Sequence, residues 1–316
     1  MNLEQKAIER IRYASEMSLH HYGQPLVCAY SGGKDSDVIL ELFRRSGVPF
    51  EVNNSHTTAD APQTVRHIQN VFKKMELDGI RCEIEKPTYQ GKRISMWSLI
   101  PIKLIPPTRT VRYCCSILKE TSCNNRFIAT GVRWDESTAR ARGRDEFEKI
   151  GRTKADKEKY STVMLMNDND AKRRINEHCM YKNKMVVNPI IDWKNSDVWE
   201  YVHSEKIPTC ELYQCGYDRV GCIGCPMAGK MRYKEFADFP AYKKLYISAF
   251  GRMIDARRKK GLSCEFKTGE DVYEWWMESD DIKGQMNIFD FIDNIDEEMG
   301  IKLRIRRNDR RYGATL

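Results

Sequence analysis

The string Ser31-Gly32-Gly33-Lys34-Asp35-Ser36 follows the apolar-leaning run Pro25-Leu-Val-Cys-Ala-Tyr30 and precedes Val38-Ile-Leu-Glu-Leu-Phe43. A turn of this composition between a strand-like and a helix-like segment suits the binding of a nucleotide phosphate. Gly32 and Gly33 permit backbone angles that a Cβ would penalise, and let amide N–H groups approach an anion closely. Lys34, Ser31 and Ser36 add side-chain donors, and the N-terminus of the following helix favours negative charge. Asp35 repels phosphate unless a cation stands between them, so its expected part is to organise the loop or to hold that cation. The spacing is not that of a Walker A loop, which places four residues between its first two glycines, nor that of a Gly-x-Gly-x-x-Gly dinucleotide fingerprint.

Cysteine supplies the second group of candidates. Gly221-Cys222-Ile-Gly-Cys225-Pro presents two thiolates toward one point, and Arg112-Tyr-Cys114-Cys115-Ser supplies a vicinal pair. Zinc and iron-sulfur clusters both use four ligands. Adjacent side chains diverge, so a four-iron cube has the breadth to meet both members of the vicinal pair where a single zinc does not. Cys210 and Cys215 form a competing set with Cys222 and Cys225 in one compact stretch. A Cys-x-x-Cys can also be a redox dithiol.

Positioning these residues requires an alternation of helices and strands. Leu3, Ala7, Ile11 and Ala14 recur at helical intervals, and strand one is expected over 25–30 with helix one over 35–46. Strand two is read over 48–53, followed by a helix that opens near Pro62 and carries His67, Ile68 and Val71. Residues 79–86 read as strand three, and the proline-broken stretch 97–107 as a packed loop or short helices. Phe127-Ile-Ala-Thr-Gly131 is a buried strand that ends in Arg133-Trp-Asp-Glu-Ser137, with Arg140, Arg142 and Arg144 beyond it. Residues 141–184 are charged and poor in large apolar side chains, which suggests an insertion. Ser196 or Asp197 is the expected N-cap of a helix carrying Val198, Trp199 and Val202, and Trp193 reads as core packing. The basic run from Lys302 to Arg311 reads as a solvated tail that could also lie on a nucleic-acid backbone.

At 316 residues the chain has room for one large α/β domain with an addition, or for two modest domains. The expected division is a nucleotide-binding domain over 1–205, with a charged insertion at about 145–185, and a cysteine loop with a helical region over 206–316. Fifty-three basic against 45 acidic side chains leave a formal charge of +8, compatible with nucleotide or nucleic-acid contact and diagnostic of neither. Nothing resembles a signal peptide, and no apolar stretch nears the roughly 18 residues that span a membrane, so a cytoplasmic location without membrane contact is expected. The eleven cysteines, an odd number in a chain of this length, favour a reduced compartment and metal ligation over disulfides.

The loop resembles the Ser-Gly-Gly-x-Asp-Ser pyrophosphate loop of the adenine-nucleotide alpha-hydrolase group. Within it the chain is similar to the phosphoadenosine-phosphosulfate reductase family, nearest in pattern to the DNA phosphorothioation sulfurtransferase branch. The resemblance implies an α/β fold, with an open, mostly parallel sheet and helices on both faces, and an adenine nucleotide bound at the strand ends. It implies a nucleotide or substrate contact for Thr58. Gly131-Val-Arg133-Trp-Asp-Glu-Ser…Arg140 resembles the family's segment in which arginine meets phosphate or sulfate, and Asn188-Pro-Ile-Ile-Asp-Trp…Asp-Val-Trp199 resembles another family segment. The Cys114, Cys115, Cys222 and Cys225 set resembles the ligands of a 4Fe-4S cluster in bacterial adenylyl-sulfate reductases. Lys34, Asp35 and Arg133 are then the expected catalytic residues.

Two departures shape the expected reaction. The reductases of the family carry a degenerate loop and a C-terminal nucleophilic cysteine, whereas here the loop is intact and the last cysteine is Cys264. The expectation is therefore an iron-sulfur enzyme that adenylates an acceptor with ATP and Mg²⁺, releases pyrophosphate and transfers sulfur from a donor such as a cysteine desulfurase. DNA, tRNA and a small metabolite all fit as acceptor, and a homodimer or a place in a larger complex is the expected assembly. The first alternative is reduction of adenylyl sulfate or phosphoadenylyl sulfate to sulfite, using Cys264 or an external thiol. The second is a nucleotide- or nucleic-acid-binding component of a modification or defence complex.

Overall fold

Leu26, Val27 and Cys28 are buried in succession, as befits a central strand of a parallel sheet, where both faces are covered and polar alternation disappears. The computed structural model describes residues 2–109, 111–150 and 184–278. In chain order its elements are α1 (Leu3–Tyr22), β1 (Leu26–Ala29), α2 (Lys34–Ser46), β2 (Phe50–Ser55), α3 (Pro62–Leu77), β3 (Cys82–Glu85), β4 (Thr88–Tyr89), β5 (Lys92–Arg93), α4 (Met96–Lys103) and α5 (Tyr113–Leu118). There follow β6 (Phe127–Ala129), α6 (Thr138–Gly143), β7 (Phe147–Ile150), β8 (Lys184–Val187), α7 (Asn195–Ser204), α8 (Met231–Asp238), α9 (Pro240–Lys259) and α10 (Gly269–Met277). They divide between two units, the first made of residues up to 56, 60–86 and 121–221, the second of 57–59, 87–120 and the residues from 222 onward.

The first unit is a six-stranded sheet in the order β3-β2-β1-β6-β8-β7, flanked by helices. Every neighbouring pair is parallel except β7 with β8, so the expected mostly parallel α/β sheet is present with an antiparallel strand at one edge. β7 falls within the stretch read as an insertion; residues 151–183 of that stretch lie outside the described residues. The principal core joins Leu26, Cys28 and Tyr30 to Ala7, Ile11 and Ala14 of α1, Val38, Leu42 and Phe43 of α2, and Ile68, Phe72 and Met75 of α3. Each of the large aliphatic or aromatic side chains contributes about 1.5–3 kcal/mol by leaving water. α1 is delimited by Asn2, whose Oδ1 accepts the Glu4 N–H at 3.0 Å, and by Gly23 in the left-handed region at φ 62°. α7 begins one turn earlier than its expected cap: Lys194 is the N-cap, and Asp197 reaches back from the third helical position to accept the Lys194 N–H at 2.7 Å.

Beyond β1 the chain crosses to β2 on one side, whereas β6 lies on the other. That reversal of strand order leaves a crevice at the carboxyl ends of β1 and β6, the place where open α/β sheets bind ligands.

The second unit holds the β4–β5 hairpin, α4, α5 and the helices α8, α9 and α10, a largely helical, cysteine-containing C-terminal region as expected. Its core is aromatic: Trp276 lies 4.7 Å from Tyr246 and 5.3 Å from Phe250 between ring centroids. Trp276 Nε1–H donates to the Pro107 carbonyl at 2.6 Å, satisfying the polar end of the buried indole. The stretch 97–107 supplies α4 despite Pro101, which sits inside the helix. No helix among the described residues is long and apolar enough to cross a membrane. The basic run 302–311 lies outside the described residues.

Candidate anion-binding site

Gly32 is held at φ 75°, and a Cβ there would stand 2.8 Å from Ile68 Cγ1 of α3, so the loop's first glycine is demanded by both backbone and packing. Lys34 opens α2 behind an N-cap, Gly33, that offers no side chain. The helix's positive end is therefore turned toward the crevice. The Lys34 N–H donates to the Tyr213 hydroxyl at 2.9 Å, while the Ser36 and Asp37 N–H groups return to the Gly33 carbonyl at 2.9 and 3.0 Å. Both loop serines also bond within the loop. Ser36 Oγ donates to the Gly33 carbonyl at 2.7 Å, and Ser31 Oγ donates to Ser36 Oγ at 3.4 Å.

The three expected catalytic residues meet. Arg133 Nε donates to Asp35 Oδ1 at 2.7 Å, and Lys34 Nζ lies 3.2 Å from Asp35 Oδ2. The Arg133 and Lys34 side chains are 4% and 6% exposed. Two buried cations thus share one carboxylate, and the trio carries a surplus positive charge beside a helix N-terminus. Asp35 spends both oxygens on organising the loop. Gly131 lies against it, since a Cβ there would stand 3.1 Å from Asp35 Cβ. Arg133 is further aimed by Asp135 Oδ2 at 3.5 Å, and its backbone N–H donates to Glu136 Oε2 at 3.0 Å. Arg140 pairs with Glu136 one turn along the chain. Thr58 belongs to the second unit, where its hydroxyl accepts the Met96 N–H at 2.9 Å.

Residues that sequence reasoning did not single out complete the site. Tyr213 holds the first amide of α2, and Trp199 lies with its ring centroid 6.0 Å from Lys34 Nζ. Beneath the loop, the Tyr30 hydroxyl donates to Asp37 Oδ1 at 2.5 Å, and His67 Nε2 stands 3.0 Å from that same oxygen. Burial pushes the Asp37 carboxyl up, against the opposing pull of His67 and Tyr30. An aspartate inside the apolar run of α2 was the available signal.

The metal expectation is corrected. Among the described residues no group of three or more His, Cys, Asp or Glu side chains is arranged to hold a metal ion, so the 4Fe-4S cluster expected on Cys114, Cys115, Cys222 and Cys225 is not supported, and neither is the local set with Cys210 and Cys215. The thiols have other partners. A hydrogen bond between Cys114 and Cys115, with burial, raises the Cys114 thiol; the same bond, with Arg112 and Lys119 and against burial, lowers Cys115, which also accepts from Arg112 Nη2 at 3.2 Å. Cys222 donates to Thr57 Oγ1 at 3.3 Å, and Cys210 is fully buried 3.9 Å from Thr64 Oγ1.

A doubly wound sheet with a Gly-Gly-Lys-Asp loop at its switch point defines the class, and the comparisons with known proteins agree. Residues 25–228 match the phosphoadenosine phosphosulfate reductase domain, and the chain belongs to that family. It is 24% identical to an uncharacterised protein of Methanocaldococcus jannaschii over 82% of this chain and 54% of that one, so it spans about half the length of that relative. It is 22% identical to an adenosine 5'-phosphosulfate reductase of Allochromatium vinosum, over 64% of this chain and 68% of the relative. A reductase of the same name from Anoxybacillus flavithermus is 23% identical over 71% of this chain and 80% of its own. The expectation of a cluster-dependent, adenylating sulfurtransferase is overturned by these reductase relatives together with the missing ligand geometry. The phosphorothioation branch gains no support from them.

Proposed function

We propose that the chain is a reductase of adenylyl sulfate or of its 3'-phosphorylated form, binding the phosphosulfate at the loop of the first unit and releasing sulfite. The observation that carries this reading is the pairing of Asp35 with the buried Lys34 and Arg133 at the switch point of a chain that belongs to this family. A thiolate attacks the sulfur, the bond from sulfur to the bridging oxygen breaks, and the nucleoside phosphate departs with the electron pair. A second thiol then resolves the thiosulfonate, giving a disulfide and sulfite. Negative charge grows on the departing phosphate, where the α2 N-terminus, Lys34 and Arg133 stabilise it without reorganising. An external dithiol protein supplies both thiols.

The test is anaerobic turnover with adenylyl sulfate, its 3'-phosphorylated form or ATP, each supplied with a dithiol reductant, with sulfite and pyrophosphate measured together. Sulfite from either sulfated nucleotide supports the reading. Pyrophosphate from ATP, with no sulfite from the others, overturns it.

A further inference from the structure

Tyr30 immediately precedes the loop and Asp37 immediately follows it. The Tyr30 hydroxyl bonds Asp37 Oδ1 across those seven positions, so the two ends of the turn are pinned together. His67 Nε2, 3.0 Å from both that carboxylate oxygen and the Tyr30 hydroxyl, fixes the pair to α3. The next residue on α3, Ile68, is the one on which Gly32 packs. The Tyr30 carbonyl in turn accepts from Asn54 Nδ2 at 2.8 Å, which ties the same point to β2. The loop is thus triangulated from a strand, its own helix and a neighbouring helix.

This arrangement is expensive for the fold. Asp37 is 4% exposed, its Oδ2 has no hydrogen-bond partner among the described residues, and burial raises its carboxyl. The groups around it bring little compensation, since Asp35, Cys28, Cys210 and Tyr213 are acidic or neutral and His67 is the basic neighbour. A buried ionisable network of this kind is often no more stabilising than apolar side chains of the same volume. What it supplies is geometry, because a Gly-Gly loop held in its binding shape has no ordering cost when an anion arrives.

We propose that Tyr30, Asp37 and His67 are positioning residues for the anion-binding loop, acting on ligand affinity through the pinned ends of residues 31–36 and not on the stability of the fold. The inference rests on the reading of that loop as the substrate site.

The experiment is equilibrium binding of adenylyl sulfate, of its 3'-phosphorylated form and of ATP, without reductant, by the full chain and by Tyr30→Phe, Asp37→Asn, His67→Phe and His67→Gln, alongside thermal unfolding. Tyr30→Phe and His67→Phe are expected to weaken binding about tenfold while the unfolding midpoint stays level or rises. His67→Gln, which restores an N–H near the Nε2 position, is expected to recover most of the affinity. Wild-type affinity in both phenylalanine variants overturns the proposal, as does a parallel loss of affinity and midpoint that His67→Gln does not repair. Binding of ATP without any binding of either sulfated nucleotide defeats the reductase reading and leaves the variants to be judged on ATP. If the wild type binds none of the three nucleotides, both ideas fall.

Discussion

The residue with the clearest chemical assignment is Arg133, because its planar fork is aimed from two sides and almost wholly buried. Arg133→Lys keeps the charge but loses the fixed geometry toward Asp35 and toward two anionic oxygens. Its kcat/KM for sulfite release is expected to fall by about 100-fold, with most of the secondary structure intact by circular dichroism; a change within twofold would remove Arg133 from the site. Gly32 answers to a different constraint. Gly32→Ala must relieve the contact with Ile68 and adopt a left-handed backbone, at a cost of roughly 1–2 kcal/mol. Gly32→Ala together with Ile68→Ala, which removes the clashing Cγ1, should bind nucleotide better than Gly32→Ala alone, which calorimetric titration of the two variants would reveal. Asp35 and Arg133 were legible as types in a recognisable string, but Asp37 and His67 were not. Their meeting depends on how α3 packs beside β1, which no local spacing encodes.

Elements were read best where punctuation is strong. Gly33 and Gly47 bracket α2, and Pro62 opens α3, so α2 emerged with its limits nearly right and α3 with its start. β2 begins two residues later than its apolar run suggested, because pairing with Leu26 of β1 starts at Phe50. β7 was hidden, since Glu148 and Lys149 mask a four-residue strand whose partner, β8, begins at Lys184. The cysteine spacings announced a ligand set, yet nothing in a spacing shows that Cys114 and Cys115 bond each other. α1 carries a pH-sensitive brace: Arg10 and Lys6 both bond Asp192, which follows β8. Burial alone would raise the Asp192 carboxyl, but hydrogen bonds from Arg10 and then Lys6 outweigh it and hold it below the usual carboxylate range. A depressed carboxyl stabilises the fold above its unfolded value, about 3.9, and that contribution disappears as pH falls through the folded value. Asp192→Asn should therefore be less stable than wild type at pH 7 by about 1 kcal/mol. In urea titrations the difference from wild type should narrow progressively below about pH 5, as the pH falls through the depressed folded value. A gap that keeps its full pH 7 size at about pH 2 would show that the brace is not electrostatic.

Across the whole molecule, thiol accessibility offers a readout of folding that needs no substrate. Cys28 and Cys210 have no exposed surface, whereas Cys215 is exposed. Burial first, then Cys82 and Asp37, push the Cys28 thiol far above its ordinary range, so little thiolate exists there at any working pH. Alkylation followed by peptide mass spectrometry should modify Cys215 quickly and Cys28 only at the rate of global opening. Equal rates would show that the sheet opens locally at β1.

The division of the chain also bears on its synthesis. The first unit is interrupted after residue 86 and resumes at 121, so the parts of the candidate anion site are made at different times. Asp35 leaves the ribosome 98 residues ahead of Arg133, an interval of about 5–20 s at ordinary elongation rates. Tyr213, which secures the first amide of α2, emerges 179 residues after Lys34. A nascent chain therefore displays the glycine loop well before it has the guanidinium and phenol that complete its grip, and a nucleotide in the cell can assist only the last stage of folding.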